Sequence, residues 1–369
     1  MNNNDLKKFH KLIDWIKYKD DLIDMIAVIK PNWSLNDLVF TECKGGITNK
    51  LIVASVNMNT VNFEDDYVVF RIYGQDTDVY INRKNEISCM KLLHALKIGA
   101  RVYGEFENGI LYEYLKGNTV NYEIVQNELI FAMIAESLAN FHLIMTASTE
   151  SYDNFSKKPI LFECINKLCI LIPDNYENIK ESDRNLVARL PTKQLILSEI
   201  CKMKNNLEIC LQKSKLNNIV FSHNDLLLEN IIYNKENNIG KQIMFIDFEF
   251  SGFNYQAYDI ASHFNEYCTK GDSYDGSLYP CKEYQFKWIN YYLKCYLKNQ
   301  SLNNQNSIID LVNDLYIQVK ILTLLSHLLW GIWCIGKACI SDNSKFSYTK
   351  VANLRLNEYF KRRDEFMFN

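Results

Sequence analysis

Two apolar runs of this chain end on acidic loops, and no other feature restricts its fold as tightly. The first, FSHNDLLLENIIYN at 221–234, places His223, Asp225 and Asn230 straight after a strand-like run. The second, MFIDFEF at 244–250, ends the same way on Asp247. A loop carrying Asp225 and, five residues later, Asn230 presents a carboxylate and an amide towards one cavity. If Ile231–Tyr233 and Met244–Ile246 run as neighbouring strands across a turn, Asp247 arrives beside Asn230. An amide oxygen next to a carboxylate is half a shell of hard oxygen ligands. Magnesium uses such half-shells and keeps waters and nucleotide phosphates for its other positions. Asp225 carries no metal in this arrangement and is free to accept a proton from a hydroxyl nucleophile. His223 fits as an anchor of the loop by hydrogen bonding. H-x-D-x-x-x-x-N also arises by chance, with its Asp and Asn capping turns. The strand ending in Asp247 at suitable spacing makes the combination a signature of phosphoryl transfer on a kinase-like scaffold.

Such chemistry demands a cation on a strand to hold phosphates and an acid to hold that cation. VVFRIYG supplies Arg71 on a clear strand, and NEISCMKLL supplies Glu86 in the helix that follows. This matches the strand-lysine and helix-glutamate pair of kinases with Arg in place of Lys; the other reading of Arg71 is a surface strand residue. Further upstream, KGGITNKLIVAS sets Gly45 and Gly46 before a strand, followed by Thr48 and Asn49. The glycine amides and the Thr48 hydroxyl suit a phosphate cover, although the run is not G-x-G-x-x-G.

A length of 369 residues with 48% apolar content points to two lobes with ample core. The formal charge is −3 and no dense basic block occurs, which argues against nucleic acid as a partner. The eleven cysteines form no C-x-x-C pair, and neighbours such as Cys164 and Cys169 are spaced for neither zinc nor redox chemistry. The start, MNNNDLKKFHKL, has no apolar signal core, so a cytoplasmic location with free thiols is expected. ILTLLSHLLWGIWCIGKACI at 321–340 is about long enough to cross a bilayer, but Ser326, His327 and Lys337 interrupt it. It reads as a buried core helix, with no stable membrane insertion. His142 and His263 read as buried structural hydrogen bonders, and Cys334 and Cys339 as core.

An amphipathic pattern covers Phe9–Ile29 and breaks at Pro31 and Asn32. From Val39 to Tyr114 the texture is β, with strands predicted at Leu51–Val56, Tyr67–Tyr73, Val102–Phe106 and Ile110–Tyr114. A helix is predicted over Asn85–Leu96, and Gly109 fits the turn between the last two strands. After Gly117 helices dominate, at Tyr122–Met145, Leu161–Leu171 and Ser198–Gln212, interrupted by the short strands around the acidic loops. The expected division is residues 1–115, β-rich and nucleotide-binding, and residues 116–369, helical with the catalytic loop and the acceptor pocket.

In this order, GGITNKL, VVFRIYG, ENGILYEYLKG, ANFH, FSHNDLLLENIIYN, FIDFEFSGFNYQAYDIASHFNEY and LLWGIWCIGKA resemble the choline/ethanolamine kinase family, from about Leu38 to Phe366. The resemblance implies an α+β, protein-kinase-like two-lobed fold with a small antiparallel-sheet N-lobe and a larger, mostly helical C-lobe. It also implies ATP as co-substrate, Mg2+ held by Asn230 and Asp247, and Asp225 as general base. Arg71 then contacts ATP phosphates, and Glu113, Tyr114 and Leu115 offer backbone groups to adenine. Family members are often homodimers, and a homodimer is carried over by analogy alone.

A small cationic amine calls for acids and aromatic faces together, each well-placed ring contributing about 0.5–2 kcal/mol. The stretch after Asp247 carries Glu249, Phe250, Tyr255, Tyr258, Asp259 and Glu266, and Trp330 and Trp333 lie three apart on one face of the apolar helix. By spacing alone that Trp pair reads as core packing; the resemblance assigns it to the substrate pocket. A trimethylammonium wants a full aromatic box, whereas a primary ammonium donates three hydrogen bonds and leans on carboxylates. Choline kinases often have Gln where this chain has Leu227, and HNDLL resembles ethanolamine kinases. Phe250, Ser262 and Tyr267 depart from frequent family residues. The expected activity is ATP-dependent phosphorylation of ethanolamine, the first step of the CDP-ethanolamine route to phosphatidylethanolamine. The alternatives are a choline or dual-specificity kinase, a kinase of another small hydroxyl compound, and a silent nucleotide-binding pseudokinase.

Overall fold

The computed structural model of the chain describes residues 6–43, 49–56, 67–74, 77, 81–149, 155–177, 179, 183–237, 241–298, 307–340 and 346–368. They group into two compact units, residues 1–117 and 118–369.

The first unit runs β1 (Lys7–Phe9), α1 (Lys19–Ile29), β2 (Leu38–Glu42), β3 (Asn49–Val56), β4 (Tyr67–Tyr73), α2 (Arg83–Ala95), β5 (Val102–Phe106) and β6 (Gly109–Glu113). Its six-stranded sheet has the order β1-β5-β6-β4-β3-β2. All pairs are antiparallel except β1 with β5, which run parallel, so the sheet is mixed where an antiparallel one was expected. On β3 every second residue, Ile52, Ala54 and Val56, is buried, as a half-covered strand requires. Leu22, Met25 and Ile26 recur at helical spacing on α1 and join that core with Ile13, Tyr18 and Trp33.

Two expectations fail here. The helix begins at Lys19 rather than near Phe9, because Lys7–Phe9 is taken into the sheet and Asp14 turns the chain. The Asp14 carboxylate accepts the amides of Ile16 and Lys17 at 2.7 and 2.8 Å, an Asx turn that competes with helix. Gly109 is not in a turn but opens β6, where a Cβ would stand 2.2 Å from the Arg71 carbonyl. Only glycine lets the two backbones pass so closely.

The second unit begins with β7 (Asn118–Thr119), α3 (Tyr122–Val125), α4 (Glu128–Thr149), α5 (Leu161–Ile170), α6 (Arg184–Val187), α7 (Lys193–Lys213) and β8 (Ile219–Ser222). It continues through β9 (Ile231–Tyr233), β10 (Ile243–Phe245), β11 (Gly252–Tyr255), α8 (Gln256–Glu266), β12 (Thr269–Lys270) and β13 (Ser273–Tyr274). It ends with α9 (Lys282–Tyr296), α10 (Ile308–Ile340) and α11 (Tyr348–Phe368). The single helix expected over Tyr122–Met145 is two. Asn127 breaks it by accepting the Leu129 amide on its side chain at 3.0 Å, while its carbonyl takes Ile130 and Phe131.

Helices α4 and α10 are each long and apolar enough to cross a membrane, yet 94% of the apolar window of α10 is buried inside the protein. Helices α5, α7, α8, α9 and α11 pack around α10, which explains why it is hydrophobic on every side. At Gly331 a Cβ would lie 2.8 Å from the Leu356 side chain, so α11 meets α10 at close range there.

Candidate active site

β8 and β11 pair with Ser222 opposite Gly252, and β9 and β10 pair with Ile231 opposite Phe245. Two loops therefore leave neighbouring strand ends, one bearing Asp225 and Asn230, the other Asp247 and Glu249. The Ile246 amide donates to the Asn230 carbonyl at 3.0 Å, extending the β9–β10 register by one step and bringing Asp247 beside Asn230. Asp247 has a left-handed φ of 65°. The Asn230 side chain donates from Nδ2 to the Asp225 carbonyl at 2.8 Å, which leaves its oxygen as the available end of the amide.

The Asp225 loop is built on α8. Asp259, fully buried in that helix, accepts the amide of His223 on one oxygen and that of Asn224 on the other, both at 2.7 Å. Burial alone would raise the Asp259 carboxyl, but His142, His223 and the His223 amide hold it below its ordinary value. His142 Nε2 meets Asp259 at 3.0 Å and its Nδ1 meets the Tyr292 hydroxyl at 2.7 Å. Asn224 takes a left-handed φ of 67°, which asparagine tolerates well. Its Nδ2 donates to the carbonyls of Phe250 and Gly252 at 3.0 and 3.1 Å, tying the two acidic loops together.

His223 is an anchor. Its Nε2 donates to the Ile246 carbonyl at 2.8 Å and its Nδ1 receives the Asp225 amide at 3.4 Å. Acceptance at Nδ1 requires the neutral imidazole, and burial lowers its pKa accordingly. His142 and His263 are likewise buried hydrogen bonders; burial pushes His263 down to about 4.

Three carboxylates share the field around Asp225. Burial foremost, then the charges of Asp247, Glu266 and Glu249, push the Asp225 carboxyl well above its ordinary range, and Arg355 opposes them. Such a concentration of buried and part-buried acids suits cations. Phe250 meets Trp330 at 5.4 Å between ring centroids and 84°, and Trp330 meets Trp333 at 5.8 Å and 80°. Perpendicular faces of this kind form a corner. Tyr258 is buried within α8, in electrostatic reach of Asp225 and Asp259, and burial raises its phenol well above the ordinary range. Glu266 closes α8 and pairs with Arg355 of α11.

In the first unit Arg71 of β4 is buried and paired with Glu86 of α2, as the sequence required. Arg83 adds a second guanidinium: it contacts the other Glu86 oxygen at 2.9 Å, Thr77 at 2.7 Å and Asn49 at 3.4 Å. Gly45, Gly46 and Thr48 lie outside the described residues. Glu113 ends β6, where its side chain accepts the Arg101 amide at 3.0 Å. Tyr114 is half-exposed at 5.3 Å from the Tyr67 ring, and Leu115 is partly buried.

Sequence reasoning missed two residues, Arg83 and Arg355, and named a third, Asp259, in another role. Arg83 stands one helical turn before Glu86 and was legible as its partner. Asp259 was read among the acids for the amine, whereas it accepts the His223 and Asn224 amides from within the fully buried α8. Arg355 interrupts the apolar stripe Val351, Ala352, Leu356, Tyr359 of α11. A charge set into a buried stripe is the signal in the last case.

The profile of the family described as choline/ethanolamine kinase matches residues 40–360. Ethanolamine kinase 1 of Mus musculus is 33% identical over 349 residues, covering 94% of this chain and 90% of that protein. The solved structure of an ethanolamine kinase from Plasmodium vivax is similar at a TM-score of 0.67 and 27% identity, covering 87% of this chain and 82% of that one. A choline kinase structure from Cryptosporidium parvum superposes at a TM-score of 0.75 over 94% of this chain and 95% of that one; at 24% identity that likeness speaks for the protein-kinase-like fold alone. Profile, relative and coverage agree: the chain belongs to the choline/ethanolamine kinase family.

Proposed function

We propose that this protein transfers the γ-phosphoryl group of ATP to the hydroxyl of ethanolamine, giving phosphoethanolamine and ADP. The observation that carries the reading is the junction of the acidic loops. The Ile246–Asn230 main-chain bond brings Asp247 next to Asn230 along the strand ends, and Asp225 stands in the field of Asp247, Glu266 and Glu249. The relatives named ethanolamine kinase support the choice of acceptor.

The donor set fits magnesium: an amide oxygen and a carboxylate at adjacent strand ends, within a surplus of buried negative charge. Asn230 and Asp247 would hold the ion. When bound, it supplies charge neutralisation on the β- and γ-phosphates. The chain's own groups do the rest. Asp225 receives the acceptor hydroxyl, orients it in line with the γ-phosphorus and takes its proton as the new O–P bond forms and the bond to ADP breaks. Arg71, fixed by Glu86, is the candidate for phosphate charge, with Asn49 near Arg83. The backbone of Glu113, Tyr114 and Leu115 is the candidate for adenine. Glu249 and Glu266 offer acceptors to the substrate ammonium, and Phe250, Trp330 and Trp333 cover its carbon chain. Positioning and charge stabilisation carry the catalysis.

A second reading, choline or both amines, is favoured by the perpendicular faces of Phe250, Trp330 and Trp333, which suit a quaternary ammonium. ADP release across a panel of amino alcohols at equal concentration tests the proposal. Ethanolamine is expected to be turned over in preference to choline, and its rejection refutes the assignment. Asp225→Ala is expected to abolish turnover while nucleotide binding survives.

A further inference from the structure

Arg355 opposes the carboxylates around Asp225, and the reaction as proposed gives it no task. It is 5% exposed, deep in α11. Its Nη2 reaches Glu266 Oε1 at 2.5 Å and Thr269 Oγ1 at 3.1 Å, and its guanidinium lies 5.3 Å from the Tyr274 ring centroid. Nη1 is buried without a hydrogen-bond partner among the described residues. The neighbouring Leu356 is the residue against which Gly331 packs, one position from Trp330. Tyr348, two turns earlier on α11, meets Trp333 at 5.7 Å. A single helix thus braces both the acidic and the aromatic side of the candidate amine pocket.

We infer that Arg355 is a positioning residue for the amine: it fixes one oxygen of Glu266 so that the other is held for the substrate ammonium. The inference rests on the proposed function, since it gives Glu266 the amine to bind. Its physical basis is twofold. A carboxylate turns about its terminal torsion in a broad, two-fold well, and an ion pair to one oxygen removes that freedom. A guanidinium does not deprotonate, so the pairing persists over the whole working pH range. The two N–H groups of Nη2 point in fixed in-plane directions, one to Glu266 and one to Thr269, which a freely rotating lysine ammonium on a flexible stem reproduces less well.

The test is a double-mutant cycle on the full-length enzyme, read as KM for the amine, KM for ATP and kcat. The variants are Glu266→Gln, Arg355→Met, Arg355→Lys and Glu266→Gln/Arg355→Met. Arg355→Met is expected to raise the amine KM at least about tenfold with the ATP KM within about twofold, and Arg355→Lys to recover part of the loss. In the Glu266→Gln background, Arg355→Met is expected to add less than about twofold. An undiminished effect in that background, or an equal rise in both KM values, overturns the inference, because Arg355 would then act on the fold at large.

If Arg355→Met does not fold, the doubly neutral variant is compared with Glu266→Gln alone. Equal amine KM values support the inference and a further rise overturns it. An unchanged amine KM in Glu266→Gln overturns it as well. If the wild type turns over choline and rejects ethanolamine, the proposed substrate falls, and the same cycle read on choline still decides the role of Arg355.

Discussion

Asp259 reaches the backbone amide of Asn224 at 2.7 Å and so fixes the residue immediately before the proposed base in its left-handed conformation. The same carboxylate holds the His223 amide and His142, which means that every group facing it donates. Asp259→Asn keeps the shape but turns one acceptor into a donor. The expected cost is about 1–3 kcal/mol of stability and a fall in kcat of about 10–100-fold, with each KM moving less than about threefold. Steady-state kinetics with a thermal melt check this. An unchanged kcat would show that the loop keeps its shape without the carboxylate.

The Asp225 carboxyl is pushed well above its ordinary value near 3.8 by burial and by neighbouring acids. A pKa raised on folding means that the protonated acid favours the native state. That stabilisation is complete below the ordinary value and is lost as pH rises through the folded one. Asp225→Asn does not titrate, so in the free protein its melting temperature is expected to exceed that of the wild type at neutral pH. The difference should shrink to nothing on acidification below the ordinary carboxylate range. Each 1 kcal/mol gained corresponds to about 2–4 °C. A wild type as stable as the variant at pH 7 contradicts the expectation.

Asn230→Ala removes a hard oxygen and the bond to the Asp225 carbonyl. The magnesium concentration needed for half-maximal nucleotide binding is expected to rise about 10–100-fold, and Asp247→Ala is expected to do the same. Calorimetric nucleotide titrations at several magnesium concentrations measure this without turnover. Unshifted magnesium dependence in both variants would remove these residues from the metal.

Glu86 is buried against two guanidinium groups, Arg71 and Arg83. Glu86→Ala removes the carboxylate that both guanidinium groups share, and the expected loss is about 3–5 kcal/mol. Glu86→Gln should cost less, since it keeps a hydrogen-bond acceptor. Chemical denaturation followed by circular dichroism decides; a midpoint unmoved by Glu86→Ala argues that the pair contributes nothing to the first unit.

Much of this architecture was legible in the residues themselves. β-Branched and aromatic runs marked β3 and β4, and the interval from Asn230 to Asp247 was enough to place two strand ends side by side. What escaped depended on side chains that compete with the backbone or act across long separations. Asp14 and Asn127 each took amides that a regular helix would have used, and periodicity alone does not register such competition. Asp259 and Arg355 are joined to partners 35 and 89 positions away. The Trp330 and Trp333 spacing by itself reads as core packing, and the proposed pocket role rests on the family resemblance with the Phe250 contact beside it.

The positive φ of Asp247 has an evolutionary corollary. Among side chains, aspartate, asparagine and glycine enter that region of backbone space most readily, whereas longer or branched ones are strained there. Glutamate, the one other carboxylate, would meet the wrong backbone before its reach even mattered. Mutational drift at this position therefore leads most easily to asparagine or glycine, and both discard the charge. The site can be silenced in one step, but its acid is hard to exchange for another.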